Sequence, residues 1–436
     1  MGHSEDADGS SHDPYGPLRL GDYRRFLLAN ILASAGAEMQ VVAVGWELYE
    51  RTQSPLDLGL VGLAMVLPVL LLAIPAGHAA DRFSKKSLIL ASQSLMASAS
   101  LALTILSAIR GPIALTYAAL FVAGVAHAVS MPARWSILRQ LVPDHLVGVS
   151  ITWNSGGWQV ASVIGPALGG LLIAQTGGAA AVYGLDVVFS VVALILTSGI
   201  RPTEVARLDE PASARSLLAG FRFVGSNRLI LATITLDLFA VFLGGAVALL
   251  PIFAKDILQI GPVGLGWLRA APSIGAALMA LTLAHRPPLT RAGPALLWAV
   301  AGFGVATIGF GLSKNPYLSF ALLFLTGALD NVSVVVRSSL IQFLTPEAMR
   351  GRVAAVNSIF IGSSNELGGF ESGMTASAFG PVASVVVGGV GTLVSVALVA
   401  LNWPEVARLG RLDALESPSI AKEPATSKEV LQLFGE

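Results

Sequence analysis

Runs of about twenty mostly apolar residues, broken by short polar turns, repeat along the whole chain. A helix rises 1.5 Å per residue, so about twenty residues cross a hydrocarbon layer about 30 Å thick. Twelve segments reach that length, some with polar residues inside them: Phe26–Trp46, Leu58–Ala79, Ser87–Ala108, Ile113–Met131, Val149–Ala174, Ala179–Ile200, Leu229–Phe253, Val263–Ala284, Ala292–Leu312, Leu318–Phe343, Val353–Ala376 and Pro381–Trp403. Turn signals such as Gly177-Gly178 and Lys314-Asn315-Pro316 separate them. The longest interruption, Arg201 to Arg228, lies between the sixth and seventh. The pattern predicts an all-α membrane protein with twelve transmembrane helices in two six-helix bundles.

A second pattern supports the division. Phe121–Ser155 aligns without a gap on Phe324–Ser358, 203 positions later. Identical pairs include Gly124/Gly327, Ser130/Ser333, Arg134/Arg337, Pro143/Pro346, Gly148/Gly351 and Asn154/Asn357. Similarity among apolar helices by chance would match Leu, Val and Ala; these matches have polar and helix-end roles, so the halves are repeats. The expected organisation is a disordered tail (1–17), a first bundle (18–200), a linker (201–228), a second bundle (229–403) and a C-terminal tail (404–436), disordered from about Asp413. Within the linker, Leu217, Leu218, Phe221 and Val224 share one face at helical spacing, so a helix over Ser213–Asn227 is expected to lie flat on the membrane.

Composition narrows the function classes. The chain is 54% hydrophobic and 12% charged, against roughly 25% charged in soluble domains. Zero net charge points to no nucleic acid. Without cysteine there is no disulfide and no thiolate chemistry, and the six histidines are scattered, so no metal site is expected. Neither a G-x-x-x-x-G-K-[ST] phosphate loop nor HExxH occurs, so neither an enzyme nor a cofactor is expected. Of the 27 Lys and Arg residues, with both ends placed inside, only Arg51, Arg110, Lys255 and Lys314 would face outward, and Arg269 falls within a helix. That bias puts both termini in the cytoplasm. Trp46, Trp135, Trp153, Trp267, Trp298 and Trp403 fall near segment ends, where interfacial anchors belong.

Gly77-His78-Ala79-Ala80-Asp81-Arg82-Phe83-Ser84-Lys85-Lys86, after the second helix, is similar to the signature G-x-x-x-D-R-x-G-R/K-R/K of the major facilitator superfamily. Gly77, Asp81, Arg82, Lys85 and Lys86 match; Ser84 replaces a glycine. The resemblance implies the major facilitator fold and a loop that latches the two halves through ion pairs and helix dipoles. Pro132-Ala133-Arg134, Ser216–Phe223 and Thr345–Arg352 resemble more closely the subgroup of bacterial exporters around the enterobactin exporter. Gly165, Pro166, Gly169 and Gly170 of the fifth helix are similar to the GPxxGG core of the antiporter motif, with glycines for close packing and a proline for a kink. The fourth helix has Leu120 and Phe121 near Gly124, not the arginine of the drug-antiporter motif.

Ionisable groups at a helix centre cost about 2.5–3.5 kcal/mol on insertion scales, so each retained one is a functional expectation. Glu38 stands about 20 Å into the first helix. Asp237 lies in helix seven, and Glu366 and Glu371 in helix eleven. His127 and Asp330, with Asn331 beside it, hold equivalent repeat positions in helices four and ten. The resemblance implies that helices one, four, seven and ten line a cavity, which would gather Glu38, His127, Asp237 and Asp330 around it. Glu38 and Asp330 lead as proton or substrate carboxylates, with His127 as relay; permanent pairing with each other or with Arg269 competes with that reading. Arg134 and Arg337 are expected as cytoplasmic gate or snorkelling residues. The expected function is export of a small amphipathic molecule, drug-like or a siderophore, across the bacterial inner membrane by alternating access. Proton antiport is expected as the drive, lipids surround the protein, and it is expected to act as a monomer. Solute uptake or lysophospholipid flipping, and a non-transporting sensor or scaffold, are the alternatives.

Overall fold

Local chemistry sets the helix ends. Ser54, Ser84, Asn227 and Asn315 each accept a backbone N–H of the first helical turn, satisfying donors the helix leaves open. Gln53 and Gly177 close the first and fifth helices in the left-handed region. The computed structural model describes residues 13–201, 214–287 and 289–411. Its long helices are α1 (Gly21–Thr52), α2 (Pro55–Arg82), α3 (Lys85–Ala108), α4 (Ile113–Leu141), α5 (Val147–Thr176), α6 (Ala180–Ser198), α7 (Arg228–Leu243), α8 (Gly261–Ala284), α9 (Ala292–Leu312), α10 (Pro316–Leu344), α11 (Glu347–Phe379) and α12 (Pro381–Asn402). By length and composition 11 spans are apolar enough to cross a membrane. The α11 helix, 33 residues long and carrying Glu366 and Glu371, is outside that set.

The seventh span departs from expectation. It does not run on to Phe253 as one helix: α7 stops at Leu243, and a 3-10 turn (Ala246–Leu249) and a π turn (Phe253–Ile257) continue it. Gly244-Gly245 stands at the break. A Cβ on Gly245 would meet the Gly368 carbonyl oxygen of α11 at 2.6 Å, so the site requires a residue that is itself a poor helix former.

The repeat is visible in the packing. In the first half α1 packs on α5 and α6, α2 on α4, and α3 on α4 and α6; in the second α7 packs on α11 and α12, α8 on α10, and α9 on α10 and α12. The register agrees, with Gly165 against Glu38 and Gly368 against Val241, both members 203 apart. Across the halves α5 packs on α8 and α2 on α11.

The apolar cores show how the halves meet. At the end away from the termini, one core draws Leu48 and Tyr49 of α1, Leu58 of α2, Tyr183 of α6, Leu249 and Phe253 beyond α7, Leu265 of α8 and Phe310 of α9. At the termini end the cores are separate: Tyr23, Phe26, Ile137 and Ile200 in the first half, Leu236, Leu296, Val336 and Val406 in the second. Burying apolar surface across both halves seals one end, and among the described residues no core spans both halves at the other.

Two expectations at the membrane surface change. The linker helix (Ala214–Ser226) does not keep its apolar face together. Val224 joins a core with Ile230, Ile341, Val353 and Val356, and Phe221 meets Phe360 edge-on at 5.8 Å, whereas Leu218 is exposed. The end of the expected first tail is held down: Trp153 Nε1 donates to the Pro14 carbonyl at 2.8 Å, and Asp13 pairs with Arg19 at 3.2 Å. The tail after Trp403 begins with a docked turn, where the Ala292 amide donates to the Gly410 carbonyl. Residues 1–12 and the tail from Asp413 lie outside the described residues.

Candidate functional site

The sequence-selected charges differ in the partners they contact. They divide among three centres, each fixed by different helices.

The first lies where the halves meet. Glu38 of α1 reaches Arg269 of α8 at 3.9 Å, an ion pair between the two repeats with both side chains about a quarter exposed. Its approach depends on the helix-five motif. A Cβ on Gly165 would stand 2.8 Å from Glu38 Cβ, and one on Gly169 3.1 Å from the Met39 carbonyl oxygen, so α5 presses on α1 there. The other side of α5 meets α8, since a Cβ on Gly266 would lie 2.5 Å from the Pro166 carbonyl oxygen and one on Gly170 would run into Pro262. Gln159 of α5 also donates to the Ser273 carbonyl of α8. Glu366 of α11 lies beside Gly62 of α2, the other contact between halves. A cation and two carboxylates are thus carried by α8, α1 and α11 beside the α5–α8 and α2–α11 contacts that join the halves. Glu371 does not share this centre: it accepts from Thr375 Oγ1 at 2.7 Å on its own helix.

The second centre is internal to the second half. Arg337 of α10 is ion-paired with Asp237 of α7, their side chains 3% and 9% exposed. Arg337 therefore does not snorkel to the interface; burial and a carboxylate partner hold it inside the bundle. Asp330, two turns earlier on α10, lines a small pocket with Asp237, Ser333, Val300 and Phe303. Asn331 next to it has a buried Oδ1 with no hydrogen-bond partner. Asp237 and Asp330 line one pocket together.

The third is its counterpart in the first half. His127 is exposed and Arg134 is partly buried, with its Nε shut from solvent and unbonded. The repeat puts Ser34 where the second half has Asp237, and His127 where it has Asp330.

In the loop after α2, Lys86 binds within its own half. Lys86 Nζ donates to the carbonyls of Ser198 (2.7 Å) and Ile200 (2.8 Å), a cation on the negative end of α6. Ser84, the departure from the signature, caps α3 by accepting from the Ser87 amide at 3.1 Å. Arg82 is exposed, Gly77 and Lys85 are partly buried, and the Asp81 side chain lies outside the described residues.

Two features escaped sequence reading. Asp186 of α6 is buried, accepts from Ser100 Oγ at 2.6 Å and lies against Gly36 of α1. A lone carboxylate in an apolar segment was its only signal. At the sealed end Tyr49 Oη donates to Asp256 across the halves, and Lys255 Nζ stands 5.7 and 6.0 Å from the Tyr49 and Trp46 rings. Trp46, expected at the interface, packs against the shared core.

Known proteins agree with this architecture. Residues 12–432 match a family described as transmembrane secretion effector. The enterobactin exporter EntS of Escherichia coli is 28% identical over 397 residues, covering 88% of this chain and 92% of that one. The multidrug efflux pump Tap of Mycolicibacterium fortuitum is 26% identical over 377 residues, covering 84% and 90%. A crystal structure of a bacterial homologue of the human lysosomal transporter Spinster superposes with a TM-score of 0.71 over 90% of this chain and 98% of that one; at 16% identity it bears on the fold alone. With its repeated six-helix halves and a match over nearly its full length, the chain belongs to the transmembrane secretion effector family of major facilitator transporters, which are multi-pass membrane proteins and not enzymes.

Proposed function

We propose that this protein exports an amphipathic small molecule, drug-like or a siderophore, across the bacterial inner membrane by alternating access driven by proton entry. The observation that carries the reading is the Glu38–Arg269 pair between the halves, placed between an end sealed by one shared core and an end where the cores separate. The positive-inside bias puts the termini end in the cytoplasm, so the substrate enters from there. The relatives named above, an exporter and an efflux pump, favour outward transport.

Protonating Glu38 removes one charge of the pair and loosens a contact that exists only while α1 and α8 are close. Glu366 gives Arg269 a second carboxylate, so the cation can change partner as the halves rock. Each 1.4 kcal/mol of differential binding shifts a two-state ratio about tenfold, so loss of one such pair is enough to bias the equilibrium. The linker helix rests its exposed Leu218 on the inner leaflet, and one chain holds the whole pathway, so a monomer suffices.

Vesicles with an imposed pH gradient, screened over dyes, antibiotics and siderophores, test this. The expected result is transport that stops when the gradient is collapsed and falls at least tenfold in Glu38→Gln. Transport unaffected by collapse of the gradient removes proton drive; a Glu38→Gln variant that inserts normally and transports at the wild-type rate removes the role of the pair.

A further inference from the structure

The repeat sets two arginines at one position on equivalent helices, Arg337 on α10 and Arg134 on α4. Three arginines of the spanning helices are answered by carboxylates of the chain: Arg337 by Asp237, Arg269 by Glu38 and Arg51 by Glu47. Among the described residues no carboxylate pairs with Arg134. The reason is legible in the repeat: Asp237 is replaced by Ser34 and Asp330 by His127. A first half built on the same scaffold has kept the cation and lost both anions. A partly buried guanidinium is the more costly the less counter-charge it has, and it carries five N–H donors in a fork that fits a planar or tetrahedral oxyanion. Arg134 Nε is buried with no acceptor. His127 stands two turns, about 10 Å, deeper on nearly the same face of α4.

Resting on the transport reading above, we infer that Arg134 docks the acid group of the transported molecule, with His127 beyond it on the way to the Glu38–Arg269 pair. The class is an amphiphile bearing a carboxylate, catecholate or phosphate, and the ligand supplies to the first half the charge that Asp237 supplies to the second. A soluble solute and a lipid with an anionic headgroup share this chemistry.

The test is equilibrium binding to the purified full chain in phosphatidylcholine nanodiscs, with a dansyl-labelled fatty acid and its methyl ester as probes. The wild type is expected to bind the acid at least tenfold more tightly than the ester. Arg134→Gln removes the preference. Ser34→Asp, which installs the second half's counter-ion, removes it too, so the test survives if Arg134→Gln fails to fold. Nanodiscs containing phosphatidylglycerol separate the sources: competition by that lipid identifies a headgroup, and an unchanged preference identifies a solute. A wild type without acid preference, or a Ser34→Asp protein that folds and keeps it, overturns the inference. Binding needs no gradient, so lost preference with intact efflux sinks this assignment alone, and retained preference without efflux sinks the transport reading.

Discussion

Arg337 and Arg134 come from one ancestral position, yet they lead different lives. In the second half Asp237 neutralises the arginine inside the bundle, and Asp330 and Ser333 line the pocket beside Asp237. In the first half a serine and a histidine stand in place of the two carboxylates, and among the described residues no carboxylate pairs with the arginine; a buried Nε without an acceptor is common to both arginines. The helices pack in the same pairs in both halves, so the contrast is not one of scaffold. Duplication fixes a frame, and the two halves differ at a few polar positions, so that one arginine has a carboxylate of the chain beside it and the other, among the described residues, does not.

The largest expected effect breaks this contrast directly. Asp237→Ala leaves Arg337 buried without its anion and should cost about 3–5 kcal/mol of stability, read by denaturant unfolding in detergent. Ser34→Ala at the matching place should stay within about 0.5 kcal/mol. Equal losses at the two positions would mean that the halves do not differ as described. A smaller effect is expected where the halves touch. Gly266→Leu puts a side chain into the Pro166 carbonyl and should cost about 1–3 kcal/mol by overpacking. It should also expose the sealed end, measured as faster labelling of an introduced cysteine at Ala246, buried in the shared core, by an impermeant maleimide. The smallest is Tyr49→Phe, which removes the hydrogen bond to Asp256 and weakens the seal by about 1 kcal/mol, roughly a fivefold gain in the same labelling. Labelling unchanged in both variants would place the seal elsewhere.

Much of the fold could be read from residue pattern, because bilayer thickness imposes a length and duplication imposes a register. The break in the seventh span was harder to see: Gly244 and Gly245 sit in an apolar run, and what crowds Gly245 is the Gly368 carbonyl of a helix more than a hundred residues away, while Gly244 lies against Phe303. The charges were legible as a set but not as pairs. Glu38 and Arg269 meet only because α5 brings α1 to α8 through its glycines, and a linear reading gives no such neighbour list. Arg337 looked like a residue reaching for the interface because it lies near a helix end; only the packing of α7 on α10 gives it Asp237. Asp186 was passed over because its hydrogen-bonding partner, Ser100, is an ordinary serine on another helix.

The central claim is that the halves rock about the Glu38–Arg269 contact. The chain has no cysteine, so spin labels can be placed at will. Pulsed electron paramagnetic resonance on two label pairs, Arg139 with Gln342 at the termini end and Gln53 with Gln259 at the sealed end, measures both ends of the same molecule; all four positions are exposed. The account predicts reciprocal change on acidification or on Glu38→Gln, with the first distance shortening as the second lengthens. Two distances that stay fixed, or that change in the same direction, would contradict it.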